Sequence, residues 1–406
     1  MATDLKTTLS TLTGGCSDVV SEDELRAKLA RSEAEGKPLR AKLGIDASGP
    51  DIHLGFAVVL QKLRQFQEAG HIAVMVIGDF TGKIGDPSGR SKTRPQLTDE
   101  QIQQNMARYR EQVSKILIPE RTEFVHNSEW SDPLTAREVI ALAAKITLAR
   151  IIERKDFKNR LSEGLPLGLH EVLYPLFQGY DSVAVRADVE LGGEDQYWNL
   201  LVGRELQRES GQEPQVIMTM PLLEGTDGKL KMSKSYGNYI GIGELPREIY
   251  GKVMSIPDAL IARYFRLTTD WTPEQVSEVE AGLGRGDNPR DWKSRLGRAI
   301  VARYYPAAEA DAAVEEFDRV FRQRELPEEM PECRLALRTA LIEIAATNGL
   351  VASRSEFRRK VAEGAVYLDG ERIRDASLEI EPQGTKVLKI GKRRFLRIVA
   401  GNVQAG

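Results

Sequence analysis

The sequence is poor in the residues that build redox and metal centres. Only Cys16 and Cys333 occur among its 406 residues, and the four histidines are scattered. Two distant cysteines cannot form a zinc site made of several thiolates, and their scarcity fits a reducing compartment. We therefore expect a cytoplasmic protein with neither a redox function nor a tightly bound metal.

Long apolar segments are absent as well. No run approaches the roughly 18 apolar residues that a membrane-spanning helix needs, and the first residues lack the apolar stretch of a signal peptide. With 41% hydrophobic and 29% charged residues, the composition is that of a globular protein. A chain of this length is expected to fold into two or three domains.

The charge is unevenly distributed along the chain. The net charge is −3, but residues 351–406 contain twelve Lys or Arg and seven Asp or Glu. This local charge of +5 leaves −8 for residues 1–350. A basic tail on an acidic body is expected of an enzyme that docks a nucleic acid at one end. Basic tails also occur by chance, so this interpretation needs support from other features.

A lysine-rich stretch contains the densest group of candidate functional side chains in the chain. Between residues 229 and 238, three lysines and two serines fall within seven positions, with a glycine on either side. Ammonium and hydroxyl groups at this density suit a loop that wraps a triphosphate and moves with it. A short basic run is more often a solvated loop. The stretch alone therefore leaves both interpretations open.

A second candidate site lies between a predicted strand and a predicted helix. Residues 39–46 have an apolar strand pattern, and a helical pattern begins at Asp51. The N-terminus of such a helix favours phosphate, because its free amides and its dipole attract negative charge. Gly55 lets a nucleotide lie close to the backbone, and His53 can donate to phosphate oxygens in a transition state. An isolated His at a helix start also fits a structural role.

Three further segments bear polar side chains at the ends of predicted elements. Residues 71–78 form a continuous apolar run, which indicates a buried parallel strand, and a glycine-rich loop with Asp86 follows it. Tyr174, Gln178 and Asp181 are spaced to share one helix face, which suits either a small zwitterionic ligand or an ordinary amphipathic helix. A basic patch follows the glycine-rich loop and faces phosphate, RNA or solvent: Arg90, Lys92 and Arg94.

Two motifs give the chain a family resemblance. Residues 231–235, Lys-Met-Ser-Lys-Ser, resemble letter for letter the second signature of class I aminoacyl-tRNA synthetases. His53-Leu-Gly-Phe56 resembles the first signature, His-Ile-Gly-His, with Phe56 in place of the last His. At that position the polar contact to the nucleotide is lost, and Phe56 can only pack. With both motifs in order, nearly the whole chain resembles the bacterial tyrosyl-tRNA synthetases.

The resemblance implies roles for individual residues. His53 and the two signature lysines would bind the departing pyrophosphate, and the helix Tyr-x3-Gln-x2-Asp would grip the amine and the phenol of tyrosine. The implied tyrosine-binding residues are Asp86, Tyr174, Gln178, Asp181 and Gln196. The implied ATP-binding residues are Gly44, Asp46, Ser48, His53, Gly55, Gly193, Asp195, Lys231 and Lys234. The implied catalytic residues are His53, Lys231, Lys234 and Ser235.

Lys42 departs from the family pattern. In the best-known members a tyrosine at this position helps to bind the phenol. The resemblance therefore places phenol selectivity mainly on Asp181, and it assigns no role to Lys42.

The implied reaction activates L-tyrosine with ATP and transfers the tyrosyl group to tRNA(Tyr), with Mg²⁺ accompanying ATP. Two alternatives stay open. A tryptophanyl-type synthetase shares the class, although the carboxylate of Asp181 favours a phenol. The second alternative is a synthetase-like RNA-binding protein without activity. The replacement of the last signature His by Phe56 supports this alternative to a small extent.

We expect an α/β fold with three domains. Residues 1–240 are predicted to form a Rossmann-like catalytic domain on a doubly wound parallel sheet, because strands and helices alternate there. At its start, residues 1–36 are predicted to be helical. Residues 241–334 are predicted to be a helical domain on the anticodon side. Residues 335–406 resemble a small α+β RNA-binding module of the ribosomal-protein S4 type. Within it, residues 335–344 are predicted to form a helix, and residues 364–373 are predicted to form a hairpin with its turn at Asp369-Gly370. The family further implies a homodimer and RNA-binding residues Arg354, Arg358, Arg359, Lys392 and Arg393.

Overall fold

The computed structural model describes residues 4–46, 51–88, 98–322, 330–391 and 394–400. The chain divides into two compact units, residues 1–314 and residues 315–406. The predicted helical domain thus falls largely in the same unit as the predicted catalytic domain. The proposed division at residue 240 stays a prediction.

A six-stranded sheet organises the first unit. Its strands are β1 (Asp18–Val20), β2 (Arg40–Asp46), β3 (Ile72–Gly78), β4 (Thr122–His126), β5 (Val189–Gly193) and β6 (Val216–Met220). In space they follow the order β1-β6-β5-β2-β3-β4. Strands β2 to β6 are parallel, and β1 pairs antiparallel with β6 at the edge. The doubly wound parallel sheet is therefore confirmed. The edge strand β1 was not predicted, since only helices were expected there.

The winding of this sheet determines where a ligand can bind. From β2 the chain continues to β3 and β4 on one side, and it then crosses over to β5 and β6 on the other side. The carboxyl ends of β2 and β5 therefore flank the point at which the strand order reverses. Open α/β sheets bind their ligands in the crevice at this point. Six of the seven residues of β3 and all five of β6 are buried, as expected for strands covered on both faces.

Helices cover the sheet and continue beyond it. Those up to residue 209 are α1 (Leu5–Thr13), α2 (Glu22–Glu35), α3 (Leu54–Glu68), α4 (Thr81–Ile84), α5 (Asp99–Ser114), α6 (Ser128–Ser131), α7 (Ala136–Ala143), α8 (Leu148–Ile151), α9 (Lys155–Ser162), α10 (Leu169–Val185) and α11 (Tyr197–Glu209). The later ones are α12 (Pro246–Val253), α13 (Ile261–Thr268), α14 (Pro273–Arg285), α15 (Pro289–Ala302) and α16 (Ala307–Arg322). The helical prediction for residues 241–334 is confirmed as far as residue 322. Residues 323–329 lie outside the described residues, and a strand begins at Glu332 where a helix was expected.

The second unit combines small sheets with two helices. Its elements are β7 (Glu332–Leu335), β8 (Thr339–Ala340), α17 (Leu341–Thr347), α18 (Arg354–Ala362), β9 (Val366–Leu368), β10 (Glu371–Arg372), β11 (Glu379–Ile380), β12 (Thr385–Ile390) and β13 (Arg394–Ala400). Five strands form one sheet in the order β10-β9-β12-β13-β7, and β11 pairs with β8. The predicted hairpin is confirmed, with Asp369 and Gly370 at positive φ in its turn.

One helix prediction in this unit is wrong. Residues 335–344 were expected to form a single helix, but β7 ends at Leu335 and α17 begins only at Leu341. Strand β7 pairs in parallel with β13, a partner about 65 positions away along the chain. Because this pairing is distant in sequence, tertiary contacts outweigh the local helical propensity.

Candidate active site

A cavity opens at the carboxyl ends of β2 and β5, and it contains most of the predicted site residues. Those that line it are Gly44, Asp46, His53, Gly55, Asp86, Tyr174, Gln178, Asp181, Gly193, Asp195, Gln196, Lys231 and Lys234. Ser235 is exposed and is not part of the lining, whereas its neighbour Ser233 is. Ser48 lies outside the described residues, as do Arg90, Lys92 and Arg94.

One end of the cavity gathers acceptors for an ammonium group. The amide of Gln196 donates to Asp86 Oδ2 at 2.9 Å, and the backbone N–H of Ser88 donates to Asp86 Oδ1 at 2.9 Å. The amide of Gln178 lies 3.4 Å from Gln196 Oε1. Helix α10 thus brings Gln178 beside a carboxylate from the loop after β3. These groups can bind a primary amine between them.

Tyr174 joins this end to the nucleotide side of the cavity. Its hydroxyl donates to Asp46 Oδ2 at 3.0 Å, and Thr81 donates to Asp46 Oδ1 at 2.8 Å. Burial, together with nearby carboxylates, raises the pKa of Tyr174 well above its usual value, so the phenol keeps its proton. The close approach of Asp46 and Thr81 requires a glycine at position 78, where a Cβ would collide with both side chains.

Asp181 forms a further part of the cavity lining. This residue is 3% exposed and accepts hydrogen bonds from Trp130 Nε1 at 2.9 Å and Asn127 Nδ2 at 3.3 Å. Burial raises the pKa of Asp181 to about 7. The positive charge of Lys42 and the two hydrogen bonds oppose that rise. A buried carboxylate with two fixed donors presents its remaining lone pairs in defined directions, which suits a hydroxyl donor.

His53 combines a structural and a chemical role. It is the N-cap of α3, and its Nδ1 accepts from the backbone N–H of Phe56 at 3.2 Å. Burial lowers the pKa of His53 to about 3, and the charges of Lys234 and Lys231 act in the same direction. The ring is therefore neutral near pH 7. Because Nδ1 is an acceptor, the proton is on Nε2, which leaves that nitrogen as a hydrogen-bond donor.

Both signature lysines contact groups at the cavity. Lys231 Nζ lies 2.5 Å from Asp195 Oδ2. Lys234 Nζ lies 2.5 Å from the hydroxyl of Tyr109 and 4.9 Å from the centre of its ring. Ammonium groups from one loop therefore reach two different walls of the same cavity.

Backbone contacts hold the segment directly after the lysine loop against the start of α3. The backbone N–H of Leu54 donates to Ile240 O at 2.9 Å, and that of Ile242 donates to Ile52 O at 2.8 Å. Within the loop, Asn238 Oδ1 accepts from the backbone N–H of Ser233 at 2.9 Å. The two signature motifs, widely separated in sequence, are neighbours through these bonds.

Sequence reasoning missed Thr81 and Tyr109, which line the cavity, and also Asn127 and Trp130, which contact Asp181 without lining the cavity. Asn127 and Trp130 closely follow β4, and Thr81 follows β3. The rule that polar residues at the carboxyl ends of parallel strands face the ligand could have found all three. No comparable signal marks Tyr109, which lies within α5 and is 1% exposed.

Predicted RNA-binding residues in the second unit are exposed on α18. Arg354 pairs with Glu343 at 2.8 Å, and Arg359 lies 3.7 Å from Glu363. Arg358 is also exposed. Lys392 and Arg393 lie outside the described residues.

The described part of the chain offers neither a metal cluster nor a membrane span. No group of three or more His, Cys, Asp or Glu side chains there is arranged to hold a metal ion. Within the same ranges, no helix is both long and apolar enough to cross a membrane.

Comparison with known proteins gives consistent matches. The family model of class I tRNA synthetases (W and Y) matches residues 34–322. The tyrosine–tRNA ligase of Thermotoga maritima is 52% identical over 388 residues, which cover 95% of this chain and 96% of that protein. The tyrosine–tRNA ligase of Moorella thermoacetica is 53% identical over 392 residues, which cover 96% of this chain and 95% of that protein.

A solved structure is similar in fold. The tyrosyl-tRNA synthetase of Archaeoglobus fulgidus, complexed with L-tyrosine, aligns with a TM-score of 0.62 at 24% identity. The alignment covers 77% of this chain and all of that one. At this identity the similarity concerns the fold alone.

Proposed function

The chain belongs to the tyrosine–tRNA ligases, a family of class I tRNA synthetases, and we propose that the cavity described above carries out both steps of their reaction. In the first step the carboxylate of L-tyrosine attacks the α-phosphate of ATP, which yields tyrosyl-adenylate and pyrophosphate. In the second step a ribose hydroxyl of the terminal adenosine of tRNA(Tyr) takes the acyl group, and AMP leaves.

The assignment of the tyrosine site rests on the two ends of the cavity. The amine of the substrate is bound by Asp86, Tyr174 and Gln178, beside Gln196. The phenol donates to Asp181, whose orientation is fixed by Trp130 and Asn127. A site built to hydrogen-bond a hydroxyl rejects the analogue that lacks it, as tyrosyl-tRNA synthetases do when they reject phenylalanine. The single observation that supports this function is the placement of a buried carboxylate, Asp181, in the same cavity as Asp86, an acceptor for an ammonium group.

ATP occupies the nucleotide side in this proposal. Gly44 and Gly193 lie towards the ends of β2 and β5, Gly55 lies at the start of α3, and Asp195 binds the ribose. His53 donates through Nε2, and Lys231 and Lys234 donate from the loop, to the departing pyrophosphate. Catalysis then depends on positioning and charge stabilisation, with no side chain acting as a nucleophile. Mg²⁺ enters as part of the ATP substrate complex.

The second unit is proposed to contact tRNA(Tyr). Its helix α18 exposes Arg354, Arg358 and Arg359, and residues 351–406 carry a local charge of +5. Guanidinium groups on one short helix suit contact with a phosphate backbone.

We also propose that the chain forms a homodimer through the region of α7 to α10. This region contributes to one apolar cluster that includes Leu142, Phe157 and Leu176. The same segment also exposes large apolar side chains: Ile140 (70%), Leu148 (61%), Leu161 (51%) and Leu169 (74%). Exposed apolar residues at this density are typical of an interface between subunits.

Exchange of labelled pyrophosphate into ATP, measured with each of the twenty amino acids, tests the proposed reaction. Exchange that depends on tyrosine alone is expected. Exchange with tryptophan instead would favour the tryptophanyl alternative. No exchange with any amino acid would contradict an active enzyme and favour an RNA-binding role.

A further inference from the structure

Lys42 is buried beneath the proposed tyrosine site and uses all of its hydrogen-bonding capacity there. It lies in β2 and is 1% exposed. Its Nζ is 2.7 Å from Glu190 Oε1, donates to Ser182 Oγ at 2.8 Å and donates to the carbonyl oxygen of Gln178 at 3.2 Å. An ammonium group has three protons, and each of them has a partner. One side chain therefore links β2, β5 and α10.

The partners of Lys42 are held as firmly as Lys42 itself. Glu190 Oε2 accepts from Ser182 Oγ at 3.0 Å and from the side-chain amide of Gln215. Gly203 of α11 packs directly on this group. A Cβ at position 203 would lie 2.8 Å from Gln215 Nε2 and 2.9 Å from Ser182 Oγ. The network is thus enclosed so tightly that it has no room for an added methyl group.

Two of the contacts of Lys42 bracket the turn of α10 that faces the substrate. Gln178, whose carbonyl accepts from Lys42, presents its side chain to the ammonium end of the cavity. Ser182 directly follows Asp181, which lies at the phenol end. Glu190 also lines the cavity. The network therefore contacts the helical turn that carries Gln178 and Asp181.

Stability alone does not account for this arrangement. Removing two charges from water costs free energy, and well-packed apolar residues of similar volume often stabilise a fold as well as a buried ion pair does. A fully hydrogen-bonded pair differs from an apolar contact in its directionality. We propose that Lys42 is a positioning residue for tyrosine selection, which holds residues 178–182 of α10 so that Gln178 and Asp181 meet the amine and the phenol together. The inference rests on the tyrosine site proposed above.

The main test removes both charges of the pair. In the Lys42→Met/Glu190→Gln variant no unpaired buried carboxylate is left, in contrast to Lys42→Met alone. We expect KM for tyrosine in pyrophosphate exchange to rise at least about tenfold, because a small misplacement of positioning contacts is costly. For the same reason, the tyrosine-to-phenylalanine ratio of kcat/KM should fall at least about tenfold. KM for ATP should change less than about twofold, because the contacts of Lys42 run to Gln178, Ser182 and Glu190, none of which is proposed to bind ATP.

The chain offers a matched control in Lys28. This lysine of α2 is also 1% exposed, and its Nζ lies 3.6 Å from Asp188 and 3.4 Å from Glu213. It does not line the cavity. Lys28→Met should lower the unfolding temperature but leave KM for tyrosine and the selectivity ratio unchanged. If the main variant does not fold, Ser182→Ala is the substitute. It keeps the ion pair and removes one contact to α10. This variant should raise KM for tyrosine and lower the selectivity ratio, both by smaller factors than the main variant.

A pH profile separates positioning from a purely structural role. The charged and titratable groups that face Asp181 are Lys42 of β2, Glu190 of β5 and Tyr174 of its own helix. Lys42 lowers the pKa of Asp181 more strongly than Glu190 raises it. In the Lys42→Met/Glu190→Gln variant, the midpoint of tyrosine binding should therefore move to higher pH. An unchanged midpoint would contradict the proposed coupling.

The results also distinguish this inference from the function on which it rests. A folded Lys42→Met/Glu190→Gln variant with unchanged KM for tyrosine and unchanged selectivity overturns the positioning role. If Asp181→Asn in the same assay loses selectivity while that variant keeps it, only the inference fails. If Asp181→Asn keeps selectivity as well, the proposed tyrosine site is wrong.

Discussion

Lys231 and Asp195 form an ion pair across the cavity, with 2.5 Å between Nζ and Oδ2. Lys231 belongs to the loop proposed for pyrophosphate, and Asp195 follows β5 and is proposed for the ribose. Both side chains are partly exposed. Under the proposed roles, each partner exchanges the other for a part of the same nucleotide when ATP binds. The contributions of the two residues to ATP use should therefore be coupled.

A double-mutant cycle measures this coupling. Lys231→Ala and Asp195→Asn should each lower kcat/KM for ATP, and the double variant should lose less than the product of the two single effects. Residues in direct contact show interaction energies of about 0.5–3 kcal/mol. A cycle that combines Lys231→Ala with Glu123→Gln is the control, because Glu123 of β4 pairs with Arg40 and does not line the cavity. Additive losses in the first cycle would contradict a functional pair.

Lys234 tests whether the loop acts in the transition state. Lys234→Ala should lower kcat for tyrosyl-adenylate formation by about 10²-fold, because loss of one preorganised donor to a developing charge costs that much. The dissociation constant of tyrosine should change less than about threefold, since Lys234 contacts Tyr109, which is not among the residues proposed to bind the amino acid. Single-turnover kinetics and equilibrium dialysis give the two numbers. Equal loss of turnover and tyrosine affinity would remove Lys234 from the proposed role.

His53 allows the helix cap and the chemistry to be separated. His53→Asn keeps a good N-cap for α3 but withdraws the Nε2 donor, whereas His53→Ala removes both. Both variants should therefore lose turnover to a similar extent. Only His53→Ala should lose about 0.5–2 kcal/mol of unfolding free energy. Denaturant titration and pyrophosphate exchange check the two effects. A His53→Asn variant with normal turnover would leave the residue with a structural role alone.

Much of this site was predictable from sequence, and the exceptions share a physical cause. The presence of Asp86, Tyr174 and Asp181 in the cavity lining was predictable, because helical spacing and strand ends place them by local rules. Lys42 was left without a role, because its partners Ser182 and Glu190 come from elements about 140 positions further along the chain. The prediction of a helix at residues 335–344 is wrong for the same reason. Strand β13, about 65 positions further along the chain, pairs with β7 and so determines the structure at the start of this segment.

Asp181 makes tyrosine binding sensitive to pH. Its pKa of about 7 lies above the usual carboxyl value, so the free protein holds a proton there below pH 7 and a carboxylate above it. Protonation occupies an oxygen that already accepts from Trp130 or Asn127 and leaves fewer lone pairs for the phenol. Tyrosine affinity should therefore rise with pH through about 7. In Asp181→Asn the profile should be flat between about pH 6 and 8, with selectivity against phenylalanine reduced by roughly 10²-fold or more. A wild-type profile that is equally flat would show that this carboxyl group does not titrate in the working range.

The proposed subunit interface can be tested by placing charges on its apolar side chains. Leu148 and Leu169 are exposed to 61% and 74%, and they belong to helices that contribute to one apolar cluster. Leu148→Lys/Leu169→Lys should shift the protein from dimer to monomer in sedimentation velocity, because burying an unpaired ammonium group costs several kcal/mol. Leu337→Lys is the matched control, since Leu337 is 71% exposed and belongs to the second unit. It should leave the sedimentation coefficient unchanged. A dimer that survives both lysines would place the interface elsewhere, and a wild-type monomer would contradict the proposed assembly altogether.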